Sequence, residues 1–487
     1  MTAIREVGEV VSGGRVLKSV VGLCAACMLL TSVPACAPKE RTPETVPPAV
    51  FYVSPGGDST TGLSWKTAWR DPTLIDWSAI PSGSRIVFDG GGSACSVAPY
   101  DYRSSSPDPG LTCGQRYRPF SIGRNDITIE RSTAPGRNGT VVIDGGRDTP
   151  LPYCGQASYS ATTGSGAGID LKGRSGIVID GMTRGAIVVR GAQNGIIMGG
   201  GGNDVLRNIE IFDDGYAVRH SWGYSTDGNG ILMGGTKNVY DRLLVHDNGQ
   251  DEFHSDSAGY NESGSAVYNS WLGAMRANPR YAGEPFNDLQ ASGHDPGCTH
   301  ADAVQIFAPG ITMNGMSFDY DVFGPGVNQG LYPSDGGTGT IFNDVSVRNS
   351  LFLDAASSNI ITDKQVHGWN LSYDTLFATQ GGIEIPGNGI NTISHVIKYG
   401  GGDYGPGGSW IVSASTWYRG DPLPGAAVHA DPGFMSVPAT VLPGLASIRS
   451  ADLTPSTPSA ASGGSPLHSW AALLARIDSL NAVISAR

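Results

Sequence analysis

The chain is written in short β-forming runs of two recurring kinds. In the first, a small or polar residue precedes an apolar run, as in Asn194-Gly195-Ile196-Ile197-Met198 and Asn229-Gly230-Ile231-Leu232-Met233. The same shape returns at 301–305, 328–332, 358–362 and 381–385. The second kind is rich in β-branched residues and is followed by Asn, Asp or Gly, as in Val205-Leu206-Arg207-Asn208-Ile209-Glu210-Ile211 and again at 242–248 and 345–351. Where no insertion intervenes, the repeat is roughly 20 to 30 residues long, the range of stacked solenoid units. One turn of short strands cannot bury its own apolar face, so successive turns must stack. The pattern predicts an all-β, right-handed parallel β-helix over residues 50–465, whose stacked turns present a long groove.

Three insertions break this rhythm. One covers about 94–119 and carries Cys95 and Cys113; a second covers about 219–227 with Trp222 and Tyr224. The largest, about 278–299, holds Arg280, Tyr281, Glu284, Phe286, His294 and Cys298. Long loops with aromatic side chains on a rigid scaffold are expected to wall a binding groove. After Pro466 the period changes: Trp470, Leu473, Leu474, Ile477, Leu480 and Ile484 recur at spacings of three and four, which predicts an amphipathic helix over 466–487. Because an open stack leaves strand groups unpaired, that helix is expected to cap an end.

Composition sharpens the picture. The 487 residues include 70 Gly and 31 Pro with only 16% charged, which suits a chain that turns after every short strand. A net charge of −12 argues against nucleic acid, which needs clustered Lys and Arg. Cation binding is compatible with that charge, and calcium is the candidate cofactor, with no metal ligands identified. A monomer is expected.

The first 36 residues read as a targeting segment: Arg15 and Lys18 precede an apolar stretch from Val20 to Leu30 that is too short to span a membrane comfortably. It ends at Val33-Pro34-Ala35-Cys36, which resembles a bacterial lipobox. The resemblance implies lipidation of Cys36 and an exported, envelope-anchored protein. Val-x-Ala also fits an ordinary signal peptidase, which would give plain secretion. Residues 37–49, rich in Pro and Thr, read as a tether. Cys24 and Cys27 leave with the leader. If Cys36 carries lipid, then Cys95, Cys113, Cys154 and Cys298 are left to pair, with three connectivities open.

Phe51-Tyr52-Val53-Ser54-Pro55-Gly56-Gly57-Asp58, followed by 62–69, resembles the entry segment of secreted β-helix proteins of the pectate-lyase-like superfamily. Residues 80–88 are similar to its first full strand, 127–130 and 139–146 continue the pattern, and Ala430-Asp431-Pro432-Gly433-Phe434 resembles its closing segment. The resemblance covers most of 51–465 and implies the fold. The superfamily includes lyases, hydrolases, epimerases and non-catalytic adhesins, so the reaction stays open.

The densest polar cluster is Thr299-His300-Ala301-Asp302-Ala303-Val304-Gln305. Its spacing is similar to the Asn-Thr-Asp-Gly-x-Asp signature of the polygalacturonase family, which implies a catalytic role for Asp302. Gln305 stands where that family has a second carboxylate and cannot move a proton at neutral pH. The family's Gly-His-Gly and Arg-x-Lys signatures are not evident. One turn earlier, laying Asp251 against Asp302 sets His254 against Gln305, with Glu252 in the same bend. Parallel strands lie about 4.8 Å apart, so aligned side chains are neighbours. The next turns add Gln329, Tyr332 and Asp335, then Asp363 and Lys364.

Two chemistries fit this strip, both on a polysaccharide. In β-elimination, His300 or His254 is the base, Tyr332 or Lys364 the proton donor and Gln305 the clamp. In hydrolysis, Asp302 with Asp251 or Glu252 supplies acid and base, His300 tuning one of them. Acidic residues at turns of such folds also serve simply to satisfy backbone groups. The competing class is therefore a non-catalytic glycan-binding or surface-structural protein.

Overall fold

The computed structural model describes residues 47–95, 113–146, 166–220, 223–255, 261–273, 302–307, 309–334, 339–353, 355, 357–362, 365–377, 381–384, 389–400, 409–418, 428–429, 431–436, 451–457 and 463–485. The leader, Cys36 and most of the tether lie outside them, as do His300, Asp335, Asp363, Lys364, Cys154 and Cys298.

Each turn lays down three short strands in the same order, one per face. The strands Ala167–Asp170, Val178–Asp180 and Ile187–Arg190 make one such turn, and Asn194–Ile197 opens the next. Equivalent strands pair in parallel into a nine-stranded first sheet and twelve-stranded second and third sheets. The protein is a right-handed parallel β-helix. From Thr312–Asn314 onward, three turns add a fourth, three-stranded face with Ile341–Asn343 and Gln365–His367.

Strand alternation explains the core. In the first sheet Ile169, Ile196, Ile231, Phe253, Val304, Leu331 and Ile360 stack in register and point inward. Leu206, Tyr240, Val267 and Phe318 do the same from the second sheet, and Ile211, Val245, Leu272 and Phe323 from the third. Each such side chain contributes about 1.5–3 kcal/mol by leaving water. Between second and third sheets a single left-handed residue makes the bend: Asn208, Arg242, Asn269, Tyr320, Asn349, Tyr373 and His395 have φ between 51° and 61°. Where that residue is Asn, its amide reaches back to the carboxylate of the preceding turn, as in Asn208 to Asp180 and Asn269 to Asp241, both 2.9 Å.

The C-terminal helix forms over Trp470–Ser485, as expected. Its contacts lie along the flank of the solenoid rather than across its end. Leu473 and Ile477 share a buried cluster with Leu244, Trp271, Val322 and Leu351 on the outer face of the third sheet. Arg184 forms a two-point ion pair with Asp478 (2.8 and 3.0 Å), Arg242 bonds Asn481 (2.7 Å), and Arg476 bonds Asn269 (2.7 Å) and covers the Tyr320 ring at 3.5 Å. The outer face of the third sheet is apolar in these turns, so it is this face that must be shielded from water. Cys95 and Cys113 form a disulfide, and Cys95 packs on Val142, Val188 and Phe212. Among the described residues, no helix is long and apolar enough to cross a membrane.

Candidate functional site

The chain passes from the third sheet to the first through a tight corner. The antiparallel hairpin Tyr216–His220 with Gly223–Asp227 leaves the helix at this corner, and residues 274–301 are inserted there too. Across the corner, one side chain per turn accepts a backbone N–H from the next turn. Asn229 N donates to Asn194 Oδ1 (3.0 Å), Asp251 N to Asn229 Oδ1 (3.2 Å), Asp302 N to Asp251 Oδ1 (2.7 Å) and Gln329 N to Asp302 Oδ1 (2.9 Å). The predicted alignment of Asp251 with Asp302 is thus realised as a hydrogen-bonded ladder.

The position after each ladder residue faces inward. It is Gly in three of these turns, and a Cβ at Gly195 or Gly230 would lie 2.4 Å from Ile211 or Val245. Glu252 occupies this position in its own turn and is fully buried, accepting from Asn248 Nδ2 at 2.6 Å. Burial pushes its carboxyl well above the ordinary range, an effect that the nearby Asp247 charge augments. The expectation that Glu252 touches substrate is corrected by this geometry: its side chain points into the corner.

His254 behaves differently because it lies on the outward phase of Phe253–Ser255. Its Nδ1 is 2.6 Å from Asp251 Oδ2, and the side chain keeps 10% exposure. Its strand neighbours in register are Gln305 and then Tyr332, both half-buried. The column His254–Gln305–Tyr332 is the one read from the sequence. Asp251 and Asp302 are themselves fully buried, so neither carboxyl is an exposed acid. Burial first, and the adjacent Asp251 charge second, push the Asp302 carboxyl well above its ordinary value.

The sequence reading missed a second histidine. His246 ends the third-sheet strand Leu244–His246 and is fully buried, stacked between Phe212 (5.2 Å) and Trp271 (5.1 Å). Nδ1 faces Asp247 Oδ2 at 2.8 Å and Nε2 faces Glu210 Oε1 at 3.1 Å. Burial alone would lower its pKa, but the bonds to Asp247 and Glu210 outweigh it and raise it to about 9. The available signal was a charged residue in each of two apolar runs one turn apart, Glu210 and His246. Asp214 is another corner residue, accepting from Ala192 N at 2.8 Å. Among the described residues, no group of three or more His, Cys, Asp or Glu side chains is placed to hold a metal ion.

No family model matches the chain, and no curated protein matches it. Solved structures similar to it include pectate lyase Pel9A, with 13% identity, 81% of this chain and 84% of the other covered, and a TM-score of 0.37. XylC in complex with xylose gives 9% identity, 80% and 88% coverage and a TM-score of 0.45. A polygalacturonase from Erwinia carotovora ssp. carotovora gives 10%, 80% and 100%, and 0.38. At these levels none of them bears on the chemistry of this chain.

Proposed function

We propose that the protein is an exported, carbohydrate-active β-helix that binds a uronate-containing polysaccharide and cleaves it by β-elimination. The observation that carries this reading is the Asp251–His254 pair at 2.6 Å, set beside Gln305 and Tyr332 on the outward face of the first sheet. Asp251 fixes the proton on Nδ1, which leaves Nε2 as the basic nitrogen. That nitrogen takes the proton next to the sugar carboxylate, whose charge the Gln305 amide offsets by hydrogen bonding. The C–H electron pair becomes the ring double bond as the glycosidic C–O bond breaks. Tyr332, two strand spacings or about 10 Å from His254 along the column, returns a proton to the departing oxygen.

His300 and Lys364 remain further candidates for base and donor, and lipid attachment at Cys36 is proposed on the leader's sequence. Hydrolysis by Asp251 and Asp302 is the second reading. It is disfavoured by the burial of both carboxyls and by their engagement with backbone N–H groups. The test is incubation with a panel of uronate-containing and neutral polysaccharides, following ultraviolet absorbance of unsaturated uronide together with reducing ends. Unsaturated product is expected. Reducing ends alone would favour hydrolysis, and silence across the panel would favour a binding protein.

A further inference from the structure

We propose that Asn248 is a positioning residue for the Asp251–His254 pair, acting through a side-chain clasp with Glu252. The inference rests on the reading of His254 as the base and goes further by naming what holds its acid in place. Three observations lead to it.

The first is that the corner carries two ladders, and Asn248 belongs to the one on the third-sheet side. Ala192 N donates to Asp214 Oδ1 (2.8 Å) and Asp214 N to Asn248 Oδ1 (3.1 Å), one side chain per turn. Asp251 stands in the ladder on the first-sheet side. An amide offers donors as well as an acceptor, and Asn248 uses both. With its oxygen committed to Asp214 N, its nitrogen donates to Glu252 Oε2 at 2.6 Å. The side chain therefore ties the two rims of the corner together across the stretch that carries Asp251.

The second is space. In the two preceding turns the place of Glu252 is taken by Gly195 and Gly230, and a Cβ at Gly230 would lie 2.6 Å from Asn248 Nδ2. The turn below is thus pared back to admit the asparagine. In its own turn Asn248 meets a full side chain, Glu252, and both are fully enclosed. A buried carboxyl keeps its hydrogen bonds, so displacing the Asn248 amide displaces Glu252 with it.

The third is direction. One peptide joins Glu252 to Asp251; Glu252 N donates to Asp302 O at 3.0 Å, and Glu252 O accepts from Ile231 N at 2.8 Å. With the Glu252 side chain anchored inward as well, that peptide is held in the orientation that leaves Asp251 Oδ2 2.6 Å from His254 Nδ1. Catalysis by a positioned base is sensitive to such placement, since an error of about 1 Å can cost about 10²-fold.

The fold itself supplies a variant that separates holding the corner from aiming the acid. Ser265 and Ser270 serve as ladder residues at the other corners, accepting through Oγ from Asn238 N (3.0 Å) and Leu243 N (3.1 Å). In Asn248→Ser the hydroxyl keeps the bond to Asp214 N but is too short to reach Glu252.

The test uses the full chain with isotope-labelled histidine and follows the His254 Nδ1–H resonance, assigned through His254→Gln. Asn248→Ser and Glu252→Ala are expected to move it upfield and to speed its exchange with solvent as the bond to Asp251 lengthens. Glu252→Gln, whose amide oxygen still accepts from Asn248, is expected to leave it in place. Asn238→Ser removes a buried ladder asparagine at the corner between first and second sheets and is likewise expected to leave it in place. A wild-type resonance in folded Asn248→Ser would overturn the proposal, and so would an equal shift in Glu252→Gln or Asn238→Ser. Should Asn248→Ser fail to fold, Glu252→Ala against Glu252→Gln decides by the same criterion. These readouts need no substrate, so they stand whether or not any polysaccharide is cleaved. On a cleaved substrate, Asn248→Ser lowers kcat by about 10-fold or more with KM unchanged, and a rise in KM alone would overturn the assignment.

Discussion

Two corners of the helix carry buried aspartates in side-chain ladders, and only one of them makes a candidate site. At the corner between second and third sheets, Asp321 Oδ1 accepts from Ser270 N (2.8 Å) and Oδ2 from Asp319 N (3.0 Å). Asp321 N in turn donates to Ser350 Oγ (3.2 Å), and Ser350 N to Asp374 Oδ1 (2.8 Å). At the corner between third and first sheets, Asp251 gives Oδ1 to Asp302 N but Oδ2 to His254. The residues that follow make the difference. Asp321 is followed by Val322 and Phe323, both buried apolar side chains, while His254 stands three residues after Asp251 on an outward strand position. A buried carboxyl that serves only backbone holds the fold together; one that spends an oxygen on a partly exposed imidazole prepares chemistry.

The contrast breaks most sharply under matched substitution. Asp251→Asn is expected to lower turnover by about 10²–10⁴-fold, the usual contribution of a positioned general base. Asp321→Asn should leave turnover untouched, and Asp321→Ala should cost about 1–3 kcal/mol of stability by orphaning buried N–H groups. Kinetics and denaturant melts on the same four proteins, wild type included, would expose any crossover. Equal loss of turnover at both corners would dissolve the distinction.

Next in size is the stacked imidazole beside the site. His246→Leu leaves Glu210 and Asp247 buried without their cation and is expected to cost about 3–5 kcal/mol. The same chemistry sets a pH dependence. His246 rises from 6.5 to about 9, so its contribution is complete below its ordinary pKa and is lost as pH climbs toward 9. Burial raises Glu262 from 4.5 to about 7 and Asp204 from 3.8 to about 6; both favour the folded state most when protonated and lose that advantage as pH rises through those intervals. Melting temperature should therefore decline from acid toward alkaline pH on account of these groups, and His246→Leu should flatten the alkaline part. A melting temperature that rises steadily from neutral to alkaline pH would contradict this assignment.

The smallest effect is expected far from the corner. Arg476→Ala removes the contact with Tyr320 and the bond to Asn269, and should cost about 0.5–1 kcal/mol with turnover unchanged. A loss of turnover would show instead that the flanking helix reaches the site.

Much of this was legible in the chain. The apolar runs at 194–198 and 229–233 fixed the stacking, because a period-two strand has only one phase that buries Ile196 and Ile231. The register of His254 with Gln305 and Tyr332 followed from the same phase, even across the long insertion in sequence that separates the first two. The helix over 470–485 was equally plain from its spacing, but its docking face was not. Which surface it covers depends on Leu244, Trp271 and Val322 lining up on one outer face from three separate turns.

What the sequence determined by itself was the repeat, the alternation and therefore the column of outward side chains. Tertiary structure alone decided which acids are available. Glu252, Asp302 and Asp251 look alike in a string of letters, yet a corner turn sends the first into the interior, hands the second to the backbone of the next coil and sets the third against the His254 imidazole. Solvation and hydrogen-bond partners set the charge of a carboxyl, and both belong to the space between turns rather than to the order of residues within one.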